Sequence, residues 1–163
     1  IEEVCGYPLV IKDTKGSRGA HSVLVNTKEE LLEEMKKLPK YKKYLLQRYV
    51  PNDYDWGIMV VNGKVVSGEK SYPSEGEFRN NTCNGAEEVF IDPVNIPTKI
   101  KQMALKTSKA IGLEWSRSDI IIDKKTKKPY LMEINRFPGL SSKTTEVDGA
   151  YEFLSSQIKC LVK

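Results

Sequence analysis

The segment from Asp119 to Asn135 constrains this chain more than any other. Asp119-Ile120-Ile121-Ile122-Asp123 and Pro129-Tyr130-Leu131-Met132-Glu133-Ile134-Asn135 are β-rich runs on either side of Lys124-Lys125-Thr126-Lys127-Lys128, a polar stretch of turn length. That pattern predicts an antiparallel hairpin. Side chains two apart on a strand share a face, so Glu133 and Asn135 point the same way. If Asp123 pairs with Pro129, antiparallel counting sets Asp119 opposite Glu133 on that face. Two carboxylates and an amide oxygen then converge, a hard-oxygen set suited to Mg²⁺. The plain alternative is a surface hairpin with scattered acids. Against it, Glu133 is flanked by Leu131-Met132 and Ile134, and charges are seldom buried unpaired in such runs.

The rest of the chain alternates short strands with amphipathic helices. Leu9 to Lys12 and Ser22 to Val25 read as strands around the polar loop Asp13 to Ala20. Asn26 or Thr27 can cap a following helix whose apolar face is Leu31, Leu32, Met35 and Leu38. Tyr44 to Val50 is a further strand, and Pro51-Asn52-Asp53-Tyr54 separates it from the next strand pair. Trp56 to Val61 and Lys64 to Glu69 flank Asn62-Gly63, a strong two-residue hairpin turn. Pro73 to Gly85 is a polar stretch too long for a simple turn, and loops of that length are often functional. Pro97 opens a helix with Ile100, Met103, Ala104, Thr107 and Ile111 on one face, and Ala150 to Val162 closes the chain as another. The expectation is an α+β fold of two lobes, residues 1–50 and residues 51–163.

Composition narrows the function classes. A chain of 163 residues with a net charge of +4 suits one domain or two small lobes. The lysine runs at 36–43 and 124–128 read as solvated helix and turn positions, so nucleic acid is not expected as a partner. Cys5, Cys83 and Cys160 show neither zinc spacing nor a disulfide framework. No signal peptide or membrane-length apolar run is visible, so a cytoplasmic protein without a membrane partner is expected. The first residue is not Met, and an N-terminal region preceding it is expected.

Other residues could take part in chemistry. A Walker-type phosphate loop is absent. Lys15-Gly16-Ser17-Arg18-Gly19 instead links two strands, where Gly16, Ser17 and Gly19 could turn backbone N–H groups toward phosphate oxygens. Lys12, on the strand entering that loop, could bring its ammonium to the same place. Such a turn is more often an ordinary surface hairpin. Gln47-Arg48-Tyr49-Val50 runs from one lobe to the other and could offer backbone groups to a flat heterocycle, or be just a buried strand. Arg79, in the long loop, could clamp a carboxylate or phosphate through its planar fork, or be a solvated loop arginine. His21, the only histidine, has no partner motif and is read as non-catalytic.

In this order, these motifs resemble the ATP-grasp superfamily, and within it the RimK-type carboxylate–amine ligases. The likeness runs from Gly6 nearly to the C-terminus. Gly6 to Lys12 resembles the family's strand ending in an ATP-contacting lysine, Gly16 to Gly19 its phosphate-covering loop, and Gln47 to Val50 its adenine hinge. Asp55 resembles the acid near the ribose, and Glu75 to Asn81 the glycine-acid-Phe-Arg-x-Asn loop. Asp119, Glu133 and Asn135 fall on the metal ligands.

The resemblance implies the ATP-grasp fold, with antiparallel sheets and nucleotide bound between two lobes. It implies ATP as cofactor with Mg²⁺, Mn²⁺ being the alternative ion. It also implies amide formation between a small-molecule or peptide carboxylate and an amine or amino acid, through an acyl phosphate, releasing ADP and phosphate. Arg79, helped by Asn81, would stabilise the acyl phosphate and the tetrahedral intermediate. A homo-oligomer is compatible with this reading. Some positions depart from the pattern. Arg48 stands where the hinge usually has an acid, His21 where the loop has a glycine, and Gly57 where the family often has an arginine, so one anion contact is expected to be missing. Two alternatives stay open: a small-molecule kinase on the same fold, and a nucleotide-binding regulatory domain without turnover.

Overall fold

The computed structural model describes residues 1, 3–16, 22–142 and 144–162. Strand β1 (Leu9–Asp13) lies between β2 (Ser22–Val25) and β3 (Tyr44–Arg48) in a small antiparallel sheet. Strand alternation sends Leu9 and Ile11 to one side, where Val25 and Leu31 complete a core. Val10 and Lys12 take the other side and wall a cleft. Helix α1 (Lys28–Lys37) starts where the Thr27 hydroxyl accepts the Glu30 N–H at 3.2 Å and Glu30 reaches back to the Asn26 N–H at 2.7 Å. Of its four-residue apolar face, only Leu31 is buried; Leu32 and Met35 are 54% and 43% exposed. A three-stranded sheet is too small to cover a wider stripe.

The second sheet has five antiparallel strands in the order β6-β5-β4-β7-β8. Strands β4 (Asp55–Val61) and β5 (Lys64–Tyr72) join through Asn62 and Gly63, whose φ values of 48° and 75° are those of the expected two-residue turn. Strand β6 (Glu87–Ile91) was not foreseen. It opens on two acids, which carry little strand preference, and pairs with β5 along its free edge. Strands β7 (Trp115–Ile122) and β8 (Pro129–Arg136) are the expected hairpin.

Helix α2 (Thr98–Ala110) covers one face of this sheet, where Trp56, Ile58, Val60 and Ile120 meet Ile96, Ile100 and Ala104. Ile111, expected on that face, is exposed. Its place is taken by buried Ser108, whose hydroxyl donates to the Leu113 carbonyl at 2.6 Å. Ile58 is fully buried in this core. Ile58→Ala is therefore expected to cost about 2–5 kcal/mol, read from the urea midpoint. Helix α3 (Thr145–Leu161) packs on the opposite face, over β4 and β5. Among the described residues, no helix is long and apolar enough to cross a membrane.

Candidate active site

Asp119 and Glu133 do face each other, but through a register that counting did not anticipate. Pro129 pairs with Ile122 rather than Asp123, and Leu131 with Ile120. Continued unchanged, that register would bring Met132 opposite Asp119. A bulge between Ile120 and Asp119 absorbs one residue and restores the Asp119–Glu133 pair. It also turns both Met132 and Glu133 toward the cleft. Asn135 Nδ2 donates to Glu133 Oε1 at 2.9 Å. Glu133 is exposed, so its apolar flanks do not bury it as expected; facing and register carry the site instead.

Asp119 is half-buried at the floor of the cleft. Burial pushes its carboxyl up to about 8; Arg117 opposes the rise, and the charges of Glu133 and Asp55 add to it. Crowded negative charge of this kind suits a divalent cation. Among the described residues, no three His, Cys, Asp or Glu side chains group as a metal site, so Asn135 would complete the oxygen set.

A cleft of about 410 Å³ lies between the two sheets. Every described candidate residue lines it. Lys12 and Gly16 come from β1 and the loop after it, and Gln47, Arg48, Tyr49 and Val50 from the end of β3. Asp55 opens β4, Arg79 and Asn81 come from the long loop, and Asp119, Glu133 and Asn135 from the hairpin. Ser17 and Gly19 lie outside the described residues, as do Arg18 and His21. Burial lowers the Lys12 pKa, while the charge of Glu133 pulls it back up, so these two groups share one electrostatic environment across the cleft. Asp55, pushed up to about 6 by burial, is hydrogen-bonded by Asn80 and Ser71.

The long loop is ordered from within. Arg79 grips Glu77 with two donors of its fork, Nε to Oε1 at 2.9 Å and Nη2 to Oε2 at 2.6 Å. The backbone N–H groups of Phe78 and Arg79 donate to the same Oε1 at 2.8 and 3.1 Å. The ring of Phe78 meets that of Tyr49 edge-on at 6.2 Å, and Asn80 Nδ2 donates to Asn52 Oδ1 at 2.9 Å. The loop thus closes over the linker between the sheets.

The Arg79 fork and these N–H groups hold the Glu77 carboxyl down at about 2, from an ordinary 4.5. For an acid with a depressed pKa, the stabilisation is complete above the ordinary value and is lost as pH falls toward the depressed one. Glu77→Gln is therefore expected to lower the urea midpoint at neutral pH. The difference from wild type should shrink as pH drops from about 4.5 toward 2.

Several cleft residues escaped the sequence reading. Met132 has no turn or charge signal, yet its Sδ receives Gln47 Nε2 at 3.7 Å. Phe78 and Asn80 flank Arg79 in the long loop. Arg117 could have been found, because it lies two residues before Asp119 and so on the same strand face. Its Nη1 donates to Glu146 Oε1 at 3.0 Å, its Nη2 meets Glu69 Oε1, and its Nε lies 3.5 Å from Asp119 Oδ1. Burial pushes Glu69 up to about 7, with Arg117 opposing. A second cavity of about 510 Å³ adjoins the cleft beyond Asp119, with Arg117, Glu88 and Cys83 in its wall.

Comparison with known proteins agrees with this geometry. A probable alpha-L-glutamate ligase of Maridesulfovibrio salexigens is 32% identical over 161 residues, 94% of this chain and 51% of that protein. One of Picosynechococcus sp. is 34% identical over 157 residues, 92% of this chain and 50% of that protein. The chain therefore spans about half the length of these relatives. Among solved structures, D-alanine–D-alanine ligase from Bacillus anthracis complexed with ATP superposes with a TM-score of 0.66 at 20% identity, over 90% of this chain and 47% of that one. The ATP-grasp ligase PsnB complexed with minimal precursor, Mg and ADP gives 0.62 at 14%, over 84% and 40%. The two structures share the ATP-grasp fold with this chain. Residues 1–156 match the RimK-like ATP-grasp domain, and the chain belongs to that family.

Proposed function

We propose that this chain carries the nucleotide and metal end of an ATP-dependent carboxylate–amine ligase. It would join a carboxylate to an amine through an acyl phosphate, releasing ADP and phosphate. One observation carries the reading: four segments distant in sequence meet at one cleft and bring the lysine, the hinge, the arginine loop and the oxygen triad together. Residues 1–50 would form the lobe bearing the glycine loop, and residues 51–163 the lobe bearing the metal. The relatives named as glutamate ligases make an α-amino acid, glutamate first, the amine to try.

Each residue then has a physical task. Lys12 and the backbone of Gly16, with Ser17 and Gly19, would hold the ATP phosphates by charge and N–H donation. Gln47 to Val50 would meet the adenine through backbone groups. Arg48 is exposed, so its departure from the family pattern leaves those contacts intact. Asp55 would face the ribose. Asp119, Glu133 and Asn135 would hold Mg²⁺, or Mn²⁺ in its place. Bound there, the ion would neutralise charge on the β- and γ-phosphates during transfer. Arg79, with Asn81, would steady the negative charge on the acyl phosphate and on the tetrahedral intermediate. The two-donor grip on Glu77 supports this role, since the same fork fits a substrate carboxylate or phosphate. The chemistry needs no covalent nucleophile; positioning and electrostatics suffice.

The test is a screen of amino acids and carboxylates with ATP and Mg²⁺, using the intact protein. The reading requires ADP together with an amide product. A stable phosphorylated product would make the protein a kinase. Nucleotide binding without ADP formation would make it a regulatory domain.

A further inference from the structure

Gly57 and Arg117 stand on neighbouring strands, and the guanidinium of one fills the side-chain space of the other. Gly57 pairs with Glu69 on one side and Asp119 on the other, and Asp119 pairs with Glu133. These positions make one row across the sheet: carboxylate, glycine, carboxylate, carboxylate. Arg117 comes from the next row and lies over the gap. A Cβ at residue 57 would sit 2.5 Å from Nη2, 2.7 Å from Nε and 2.8 Å from Cζ of Arg117. These distances put the Nε–Nη2 edge of the guanidinium in the space that a side chain at residue 57 would occupy.

Backbone conformation does not explain this glycine, because Gly57 is not among the residues with positive φ. A glycine inside a central strand weakens it and marks a close approach. Here the approaching group is the Arg117 fork. Glu69 and Glu146, 0% and 2% exposed, fix that fork from β5 and α3. Its remaining edge, Nε, bears on Asp119.

We propose that Arg117 is a positioning residue for Asp119, and that Gly57 is the slot that lets its guanidinium reach that carboxylate. The proposal rests on the reading of Asp119 as a Mg²⁺ ligand. An outer-shell partner behind a metal ligand, here an ion pair at 3.5 Å, sets the ligand's orientation, and its loss typically costs about 10–100-fold in metal affinity. One methyl group at residue 57 would displace the guanidinium and have the same effect at a distance from the metal.

The test is a double-mutant cycle on the intact protein, with Gly57→Ala, Arg117→Met and both changes together. The readouts are the Mg²⁺ concentration that half-saturates binding of a fluorescent ADP analogue, the affinity for that analogue without Mg²⁺, and the melting temperature. Each single change is expected to raise the half-saturating Mg²⁺ by about 10-fold or more while leaving Mg²⁺-free affinity unchanged. Gly57→Ala should add nothing once Arg117 is Met, because nothing remains to displace. Arg117→Lys should not restore the wild-type value, since a point charge cannot serve three carboxylates in fixed directions. Arg117→Gln replaces Arg117→Met in the cycle if that variant does not fold. A Gly57→Ala protein with wild-type Mg²⁺ dependence, or independent additive losses, would overturn the proposal. Wild-type binding that ignores Mg²⁺ would instead overturn the metal reading of the cleft, and the positioning role with it. The coupling of the two sites would still show in the melting temperatures.

Discussion

Glu133→Ala is expected to lower Mg²⁺-dependent ADP release by the intact protein by about 10³-fold or more, equivalent to several kcal/mol of lost charge stabilisation. Of the three oxygen residues, Glu133 is the informative one to remove. It is exposed, so its loss should leave stability within about 0.5 kcal/mol of wild type. The defect would then be chemical and not a folding failure. Asp119 is less suitable, because it is half-buried and tied to Arg117. Excess Mg²⁺ should recover little of the rate, since the remaining carboxylate and amide cannot fix the ion in one place. A Glu133→Ala protein with normal turnover would remove the metal assignment.

Arg79→Ala is expected to lower kcat by about 10³-fold, the scale of removing an arginine that meets transition-state charge. Binding of ATP should change little, because the adenine contacts are assigned to the backbone of Gln47 to Val50 and not to the Arg79 side chain. That split between kcat and KM separates a role at the reacting group from one in nucleotide binding. Arg79→Lys should recover only a small part, since a single ammonium cannot reproduce a planar bidentate contact. Truncation also releases Glu77, and the Glu77→Gln protein supplies the control. If it loses as much activity as Arg79→Ala, the arginine acts only by ordering its loop.

Much of this site was legible because its residues carry local signals. The Asn62-Gly63 turn, the Pro51 to Tyr54 linker and the i, i+2 spacing of Glu133 and Asn135 each reflect backbone geometry that sequence displays. The Asp119–Glu133 pair came out right although the assumed register did not. The bulge at Met132 has no glycine or proline to announce it, and only the ladder reveals it. Strand β6 was hidden for a related reason: Glu87 and Glu88 have little strand preference of their own, and β6 takes its partners from the β5 edge. The burial expected of Leu32, Met35 and Ile111 failed where the sheet or helix opposite was too small to cover them. Most instructive is Gly57. Set against the family pattern, which often has an arginine there, it suggests that one anion contact is missing. Arg117 in fact lays a guanidinium over that position from the neighbouring strand, and its fixing partners Glu69 and Glu146 come from elements that no local pattern connects.

The most direct test of the ligase reading traces oxygen. The intact protein would be given ATP, Mg²⁺, an amine found in the screen, and a carboxylate substrate labelled with heavy oxygen. An acyl phosphate passes one carboxylate oxygen to the phosphate that leaves, so the account predicts one labelled oxygen in the released phosphate for each amide formed. Amide formation with unlabelled phosphate, or ADP release with the label retained on a stable phosphorylated product, would contradict it.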